Sequence, residues 1–273
     1  MKELRVRAIS GFLYIVLLIA SLFWEHAFII LFYLFGLICL AEFSKLINLT
    51  NRYPYVIFTL LYFIFGYWRL FSEFRHLYSD FLQILLVISI FVLLLLIKDL
   101  FSLKTIPLFH SKRYILTTFY MSTAFIFLVS IATINMDFNP ILILGCFILV
   151  WTNDSFAYLV GKNFGKQKLF PRISPKKTVE GFLGGLFFAC IASLLIANFT
   201  NTLSFNYWLI LGIIVSVFGT LGDLIESKFK RQADVKDSGV IMPGHGGLLD
   251  RLDSIIFAAP FIYLFLKFAV NVS

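Results

Sequence analysis

Long apolar runs recur from one end of the chain to the other, separated by short polar breaks. A helix that crosses the hydrocarbon core of a bilayer takes about 20 mostly apolar residues. Nine stretches approach or reach that length, at roughly 8–24, 27–47, 54–71, 80–98, 114–135, 139–160, 178–198, 206–228 and 252–271. Composition agrees: 60% of the residues are hydrophobic and 14% charged, against about 45–50% and 25% in soluble domains. A disordered tail, a secreted disulfide scaffold and an ordinary cytosolic enzyme are thereby excluded. Cys39, Cys146 and Cys190 lie far apart inside apolar runs and form no CxxC pair, so they read as small buried hydrophobes. Lys2, Arg5 and Arg7 before the first run would suit a signal peptide, but Phe23-Trp24-Glu25 is a poor cleavage site, and the run reads as retained. The expected fold class is all-α, a polytopic membrane helix bundle of nine transmembrane helices. Spans one to five fall in residues 1–140, and spans six to nine, with polar loops 161–177 and 228–251, make up a second region at 141–273. The whole is expected to be one membrane domain.

The net charge is +8. In a soluble chain that would suggest nucleic acid, whereas here it is a question of topology, and no nucleic-acid partner is expected. Nine spans put the termini on opposite sides. With the N-terminus cytoplasmic, 20 of the 23 Lys and Arg fall on that side, and Arg69, Arg75 and Lys267 on the other. This positive-inside bias supports the span count and the orientation together. The polar loops of the second half then face the cytoplasm.

Carboxylates inside membrane spans are costly and mark functional sites by default. Asp154 lies 14 residues into the sixth span, about 21 Å at the helical rise of 1.5 Å per residue, and Asp223 lies 16 residues into the eighth, about 24 Å. Asp250 and Asp253 open the ninth span and share a helix face at i and i+3. Asp223, Glu226 and Ser227 share another face. All fall near the cytoplasmic rim of a core about 30 Å thick. Convergent carboxylates are hard oxygen ligands that suit Mg²⁺ together with substrate phosphates. For any single Asp, interfacial pairing with Arg251, Lys228 or Lys230 is the simpler account; several at one depth beside a glycine loop weaken it.

That loop runs from Lys236 through Asp237, Ser238 and Gly239 to Pro243, Gly244, His245, Gly246 and Gly247. Its glycines allow backbone N–H groups to surround an anion close to Asp250. His245 could donate to a phosphate or ligate a metal, although a structural hydrogen bond is the plainer role for a lone loop histidine. The segment Gly161–Gln167 does not fit a Walker A motif, and Gly181–Gly185 follows no strand, so close helix packing by small residues is its expected role. The basic run Lys162, Lys166, Lys168, Arg172, Lys176 and Lys177 serves either topology or an anionic ligand.

The stretch Ser227–Arg231, Lys236–Gly239 and Pro243–Asp253 resembles the signature of the phosphatidate cytidylyltransferase (CDP-diacylglycerol synthase) family, with Met242 a mild departure. A second block is similar too: Asn153–Tyr158, Gly161, Phe164–Lys166 and Ile173–Gly181. The resemblance covers about residues 150–255, while the first 140 share only hydrophobicity with the family. It implies that CTP and phosphatidate give CDP-diacylglycerol and pyrophosphate, in phospholipid biosynthesis. It implies Mg²⁺, with K⁺ a candidate for a second cation, and a homodimer. Metal ligation is carried onto Asp223, Asp250 and Asp253. The wider catalytic set is Asp223, Lys230, Lys236, Asp237, His245, Asp250, Arg251 and Asp253. Substrate binding is carried onto Asp154, Ser174, Lys176, Lys177, Glu180, Ser227, Arg231, Gly244, Gly246 and Gly247. Lysines 176, 177, 230 and 236 and Arg231 would bind phosphates, and Gly244–Gly247 would cradle CTP. A bacterial inner membrane, with the active site facing the cytoplasm, is the expected location.

Two other classes compete. An ion-coupled transporter also carries intramembrane carboxylates, but usually near the midplane and in repeated halves. A CDP-alcohol phosphotransferase would show a DGxxAR stretch, which is absent. A CTP-dependent lipid kinase would release CDP rather than pyrophosphate.

Overall fold

The computed structural model describes residues 2–67, 75–134, 137–244 and 246–272 of the chain. Ten α-helices carry it: α1 (Lys2–Ser21), α2 (Glu25–Leu46), α3 (Tyr53–Tyr62), α4 (Arg75–Phe101), α5 (His110–Leu116), α6 (Thr123–Ala132), α7 (Pro140–Phe164), α8 (Val179–Thr200), α9 (Phe205–Gln232) and α10 (Leu249–Val272). A π-helical turn at Thr117–Ser122 joins α5 to α6, making one membrane-length helix, and another at Phe63–Tyr67 extends α3. Among the described residues, seven helices are long and apolar enough to cross a membrane. The chain is an integral membrane protein. The expected count of nine is not reached on this criterion, because two of the runs appear as shorter apolar helices, Ile9–Ser21 and Tyr53–Gly66. Residues 68–71 of the predicted third span lie outside the described residues.

The fold also departs from the all-α expectation. The basic loop forms an antiparallel hairpin of β1 (Lys168–Phe170) and β2 (Ser174–Thr178), with Lys168 opposite Thr178 and Phe170 opposite Ser174. These strands are short and carry no alternation of apolar and polar residues, so their sequence gives no strand signal.

The chain divides into two compact units. The first comprises residues 1–130 and 229–252, the second residues 131–228 and 253–273. The glycine loop belongs to the unit that holds the N-terminal residues.

The first unit is built on aromatic side chains. Phe28, Phe32, Phe43, Phe58, Phe125 and Phe229 are all buried. Phe43 of α2 meets Tyr120 and Phe229 edge-on, at ring-centroid distances of 5.4 and 5.1 Å. This geometry suits the quadrupoles of the rings, and it seats the end of α9 against α2. In the second unit α7 and α8 pack backbone to backbone. A Cβ added at Gly185 would lie 2.7 Å from the Asn153 carbonyl, and one at Gly181 2.7 Å from that of Ala157. The small-residue packing expected of Gly181–Gly185 is thus what these residues do. Phe156 and Phe188 stack at 3.7 Å across the same pair, and Phe218 of α9 stacks on Phe261 of α10 at 3.7 Å.

Candidate active site

The predicted site residues fall into two clusters, one in each unit. In the second unit the hairpin delivers Lys177 to α9, where its Nζ lies 2.6 Å from Asp223 Oδ2. Ser227, one turn further along α9, donates to Asp223 Oδ1 at 3.2 Å. On α7, Asn153 Nδ2 donates to Asp154 Oδ1 at 3.1 Å, and Ser254 Oγ of α10 approaches Asp154 Oδ2 at 3.5 Å. Asp253 is buried, and its Oδ1 accepts the backbone N–H of Ser254 at 2.7 Å. Asp154, Lys177, Asp223, Ser227 and the Asp253–Ser254 pair therefore belong to one polar neighbourhood. Lys176 next to Lys177 is exposed, and Ser174 is half-buried at the start of β2.

Glu180 holds backbone N–H groups of the basic loop. Its Oε2 accepts the backbone N–H of Lys166 at 3.0 Å and that of Gln167 at 3.1 Å. Val179 N–H donates to the Gln167 carbonyl at 2.9 Å, and Thr178 Oγ1 caps α8 by accepting from Gly181 N–H at 3.1 Å. These bonds fix the hairpin to the start of α8. An acidic residue in the first helical turn also suits the dipole there.

In the first unit Asp250 is the organising group. Lys230 Nζ lies 2.7 Å from its Oδ1, and both side chains are largely buried. Its Oδ2 accepts from Ser238 N–H and Ser238 Oγ, both at 2.9 Å, and from Gly247 N–H at 2.7 Å. Gly244 and Gly246 take positive φ, 75° and 87°, while Met242 N–H donates to the Gly246 carbonyl at 2.9 Å, closing a tight turn. A side chain would be strained at either glycine. Ser10 Oγ of α1 donates to the Pro243 carbonyl at 3.1 Å. Arg231 Nη1 donates to the Val235 carbonyl at 3.0 Å, so it secures the turn after α9. Lys236, Asp237 and Arg251 are exposed. His245 lies outside the described residues.

One further acidic side chain closes this loop, and sequence reasoning passed over it. Glu42 of α2 is 3% exposed. Its Oε2 accepts from Leu249 N–H at 2.8 Å and its Oε1 from Leu248 N–H at 3.2 Å. The rule that flagged Asp154 and Asp223 applies equally to an acid near the end of the second apolar run. The N–H groups of Gly247, Leu248 and Leu249 donate to the protein's own carboxylates.

Carboxylate and hydroxyl oxygens are the right donors for Mg²⁺, and Asp223, one-third exposed, has them on an accessible side chain. Among the described residues, however, no group of three or more His, Cys, Asp or Glu is gathered to hold a metal. Lysine ammonium groups pair with both Asp223 and Asp250.

The family model described as "Cytidylyltransferase family" matches residues 4–269. The chain belongs to the cytidylyltransferase family. It is 36% identical over 270 residues to a phosphatidate cytidylyltransferase of Bacillus subtilis (strain 168), covering 97% of this chain and 98% of that one. It is 53% identical over 126 residues to a phosphatidate cytidylyltransferase of Staphylococcus aureus (strain COL), covering 45% of this chain and 48% of the other. A third protein of that name, from Staphylococcus haemolyticus (strain JCSC1435), is 51% identical over 126 residues, 45% of this chain and 48% of its own. The resemblance drawn from the signature residues is borne out, and it extends through the first 140 residues, which by themselves had shown only hydrophobicity.

Proposed function

We propose that this protein transfers CMP from CTP to phosphatidate, giving CDP-diacylglycerol and pyrophosphate, on the cytoplasmic face of a bacterial inner membrane. The observation that carries this reading is the match over 98% of the length of a phosphatidate cytidylyltransferase. A phosphatidate oxygen attacks the α-phosphorus of CTP, and the bond to the β-phosphate breaks to release pyrophosphate. The attacking phosphate is already an anion near neutral pH, so no strong base is required. The obstacle is the approach of two polyanions.

Basic side chains remove that obstacle, and the two lysine–aspartate pairs say how. Lys177 pairs with Asp223 at 2.6 Å and Lys230 with Asp250 at 2.7 Å. Each ammonium is held beside a carboxylate and becomes a phosphate ligand when it shifts to the arriving substrate. Lys176 and Lys236, exposed beside these clusters, add to the attraction. Asp223 and Asp253, in the polar neighbourhood of the second unit, are the carboxylates that would hold Mg²⁺, with K⁺ a candidate second cation. When bound, such a cation neutralises charge on the transferring phosphoryl group and the leaving pyrophosphate. The acyl chains stay in the bilayer, so orienting the headgroup supplies much of the remaining rate.

A product assay tests this. The purified protein in micelles containing phosphatidate, labelled CTP and Mg²⁺ should yield lipid-extractable CMP label and equimolar pyrophosphate. Asp223→Asn should abolish both. CDP release without lipid label would indicate a kinase. Uptake of a solute with no nucleotide turnover would indicate a transporter.

A further inference from the structure

We propose that Glu42, on the second helix of the chain, is a positioning residue for the reaction: it clamps both ends of the glycine loop and thereby sets the place of Asp250. The proposal rests on the cytidylyl-transfer reading above.

A carboxylate buried to 3% exposure is costly unless donors meet it. The donors here come from residues about two hundred positions away in the chain. Leu249 supplies the first N–H of α10, which has no partner inside the helix and belongs to its positive end, and Leu248 supplies the N–H just before it. Ser238, at the opposite end of the loop, places its hydroxyl 3.4 Å from Glu42 Oε2 and 2.9 Å from Asp250 Oδ2. That hydroxyl has one proton to share between the two carboxylates. The loop backbone is shaped to the same group. A Cβ at Gly247 would lie 2.6 Å from Glu42 Oε2, and a Cβ at Gly239 2.8 Å from its Cδ. The N–H groups that fix Asp250 Oδ2 belong to Ser238 and Gly247, which are the loop ends closed around Glu42. With both oxygens engaged by loop donors, Glu42 is neither a cation ligand nor a base. It acts through Asp250, leaving Asp250 Oδ1 to Lys230.

The experiment compares full-length wild type, Glu42→Ala and Glu42→Gln in micelles. It reads kcat, KM for CTP, and the rate of tryptic cleavage after Lys236. Loss of the clamp should lower kcat of Glu42→Ala by about 30-fold or more, because misplacement by about 1 Å can cost 100-fold. KM for CTP should stay within about threefold, since the phosphate-binding lysines remain. Cleavage after Lys236 should accelerate. Glu42→Gln should recover part of kcat, because its amide oxygen can still accept from Leu249 N–H while its NH₂ faces Leu248 N–H. The proposal is overturned if Glu42→Ala keeps kcat within about threefold of wild type. It is overturned equally if both variants lose activity with the loop cut no faster than in wild type. Should Glu42→Ala fail to fold, Glu42→Gln with wild-type kcat and cleavage rate would overturn it alone. A wild-type protein that makes no CDP-diacylglycerol would sink the assigned reaction, while the cleavage comparison would still decide the clamp.

Discussion

Each unit holds a polar loop with acidic side chains that accept backbone N–H bonds, yet the two devices differ in kind. In the first unit Glu42 is buried and accepts N–H groups about two hundred positions away, beside Asp250, whose side chain is largely buried. In the second unit Glu180 is half-exposed and binds N–H groups only 13 and 14 residues away. A buried clamp gives one geometry, because each donor it loses is replaced by an unsatisfied charge. An exposed clamp is forgiving, since water replaces a lost bond. The glycine loop is therefore the more constrained of the two, and the basic hairpin the more forgiving.

Asp250→Ala should break this contrast most severely. It strands Lys230 and three loop donor contacts in a largely buried setting, where removing one partner of an ion pair costs about 3–5 kcal/mol. A large fall in thermal midpoint in detergent, with activity lost, is expected; a midpoint within a degree or two of wild type would mean the loop does not depend on this carboxylate. Gly247→Ala comes next. Its methyl group would press on Glu42 Oε2, and overpacking of this type costs about 1–3 kcal/mol. A stable, fully active Gly247→Ala would show that the loop can open without loss. Third is the Lys177–Asp223 pair, whose side chains are 25% and 34% exposed. A double-mutant cycle with Lys177→Met and Asp223→Asn should give a stability coupling below about 1 kcal/mol, while either change alone removes most of the activity. A coupling as large as that of Asp250 with Lys230 would erase the distinction between the units. Smallest of all, Glu180→Gln should change kcat by less than about twofold while hastening proteolysis at Lys166 or Lys168. If it silenced the enzyme, the hairpin would be as exacting as the loop.

Much of this was legible in residue order, for identifiable reasons. Spans announce themselves because lipid tolerates few charges, and Asp154 and Asp223 stood out as exceptions to that rule. Depth arithmetic put Asp154 and Asp223 at one level, and the structure places them in one polar neighbourhood with Lys177. Asp250 was legible as important but not as a hub, since the direction of a side chain toward Ser238 and Gly247 depends on how the loop closes. The hairpin was hidden because its residues Lys168–Phe170 and Ser174–Thr178 lack alternation. Nothing in the residue order signals that Glu180 accepts the backbone N–H groups of Lys166 and Gln167. Glu42 was visible in principle, being an acid in an apolar run, but nothing local ties it to Leu249.

That separation has a consequence for biosynthesis. Glu42 is made 207 residues before Leu249, whose N–H it accepts. At about 5–20 residues per second, the carboxylate waits roughly 10–40 s for that partner. Until α10 arrives, the second helix carries an acid that its final neighbours have not yet satisfied. Closure of the buried clamp is thus a late event, and a chain that stops short of Leu249 keeps a charge at the membrane with nothing to hide it. In that sense α10 certifies α2.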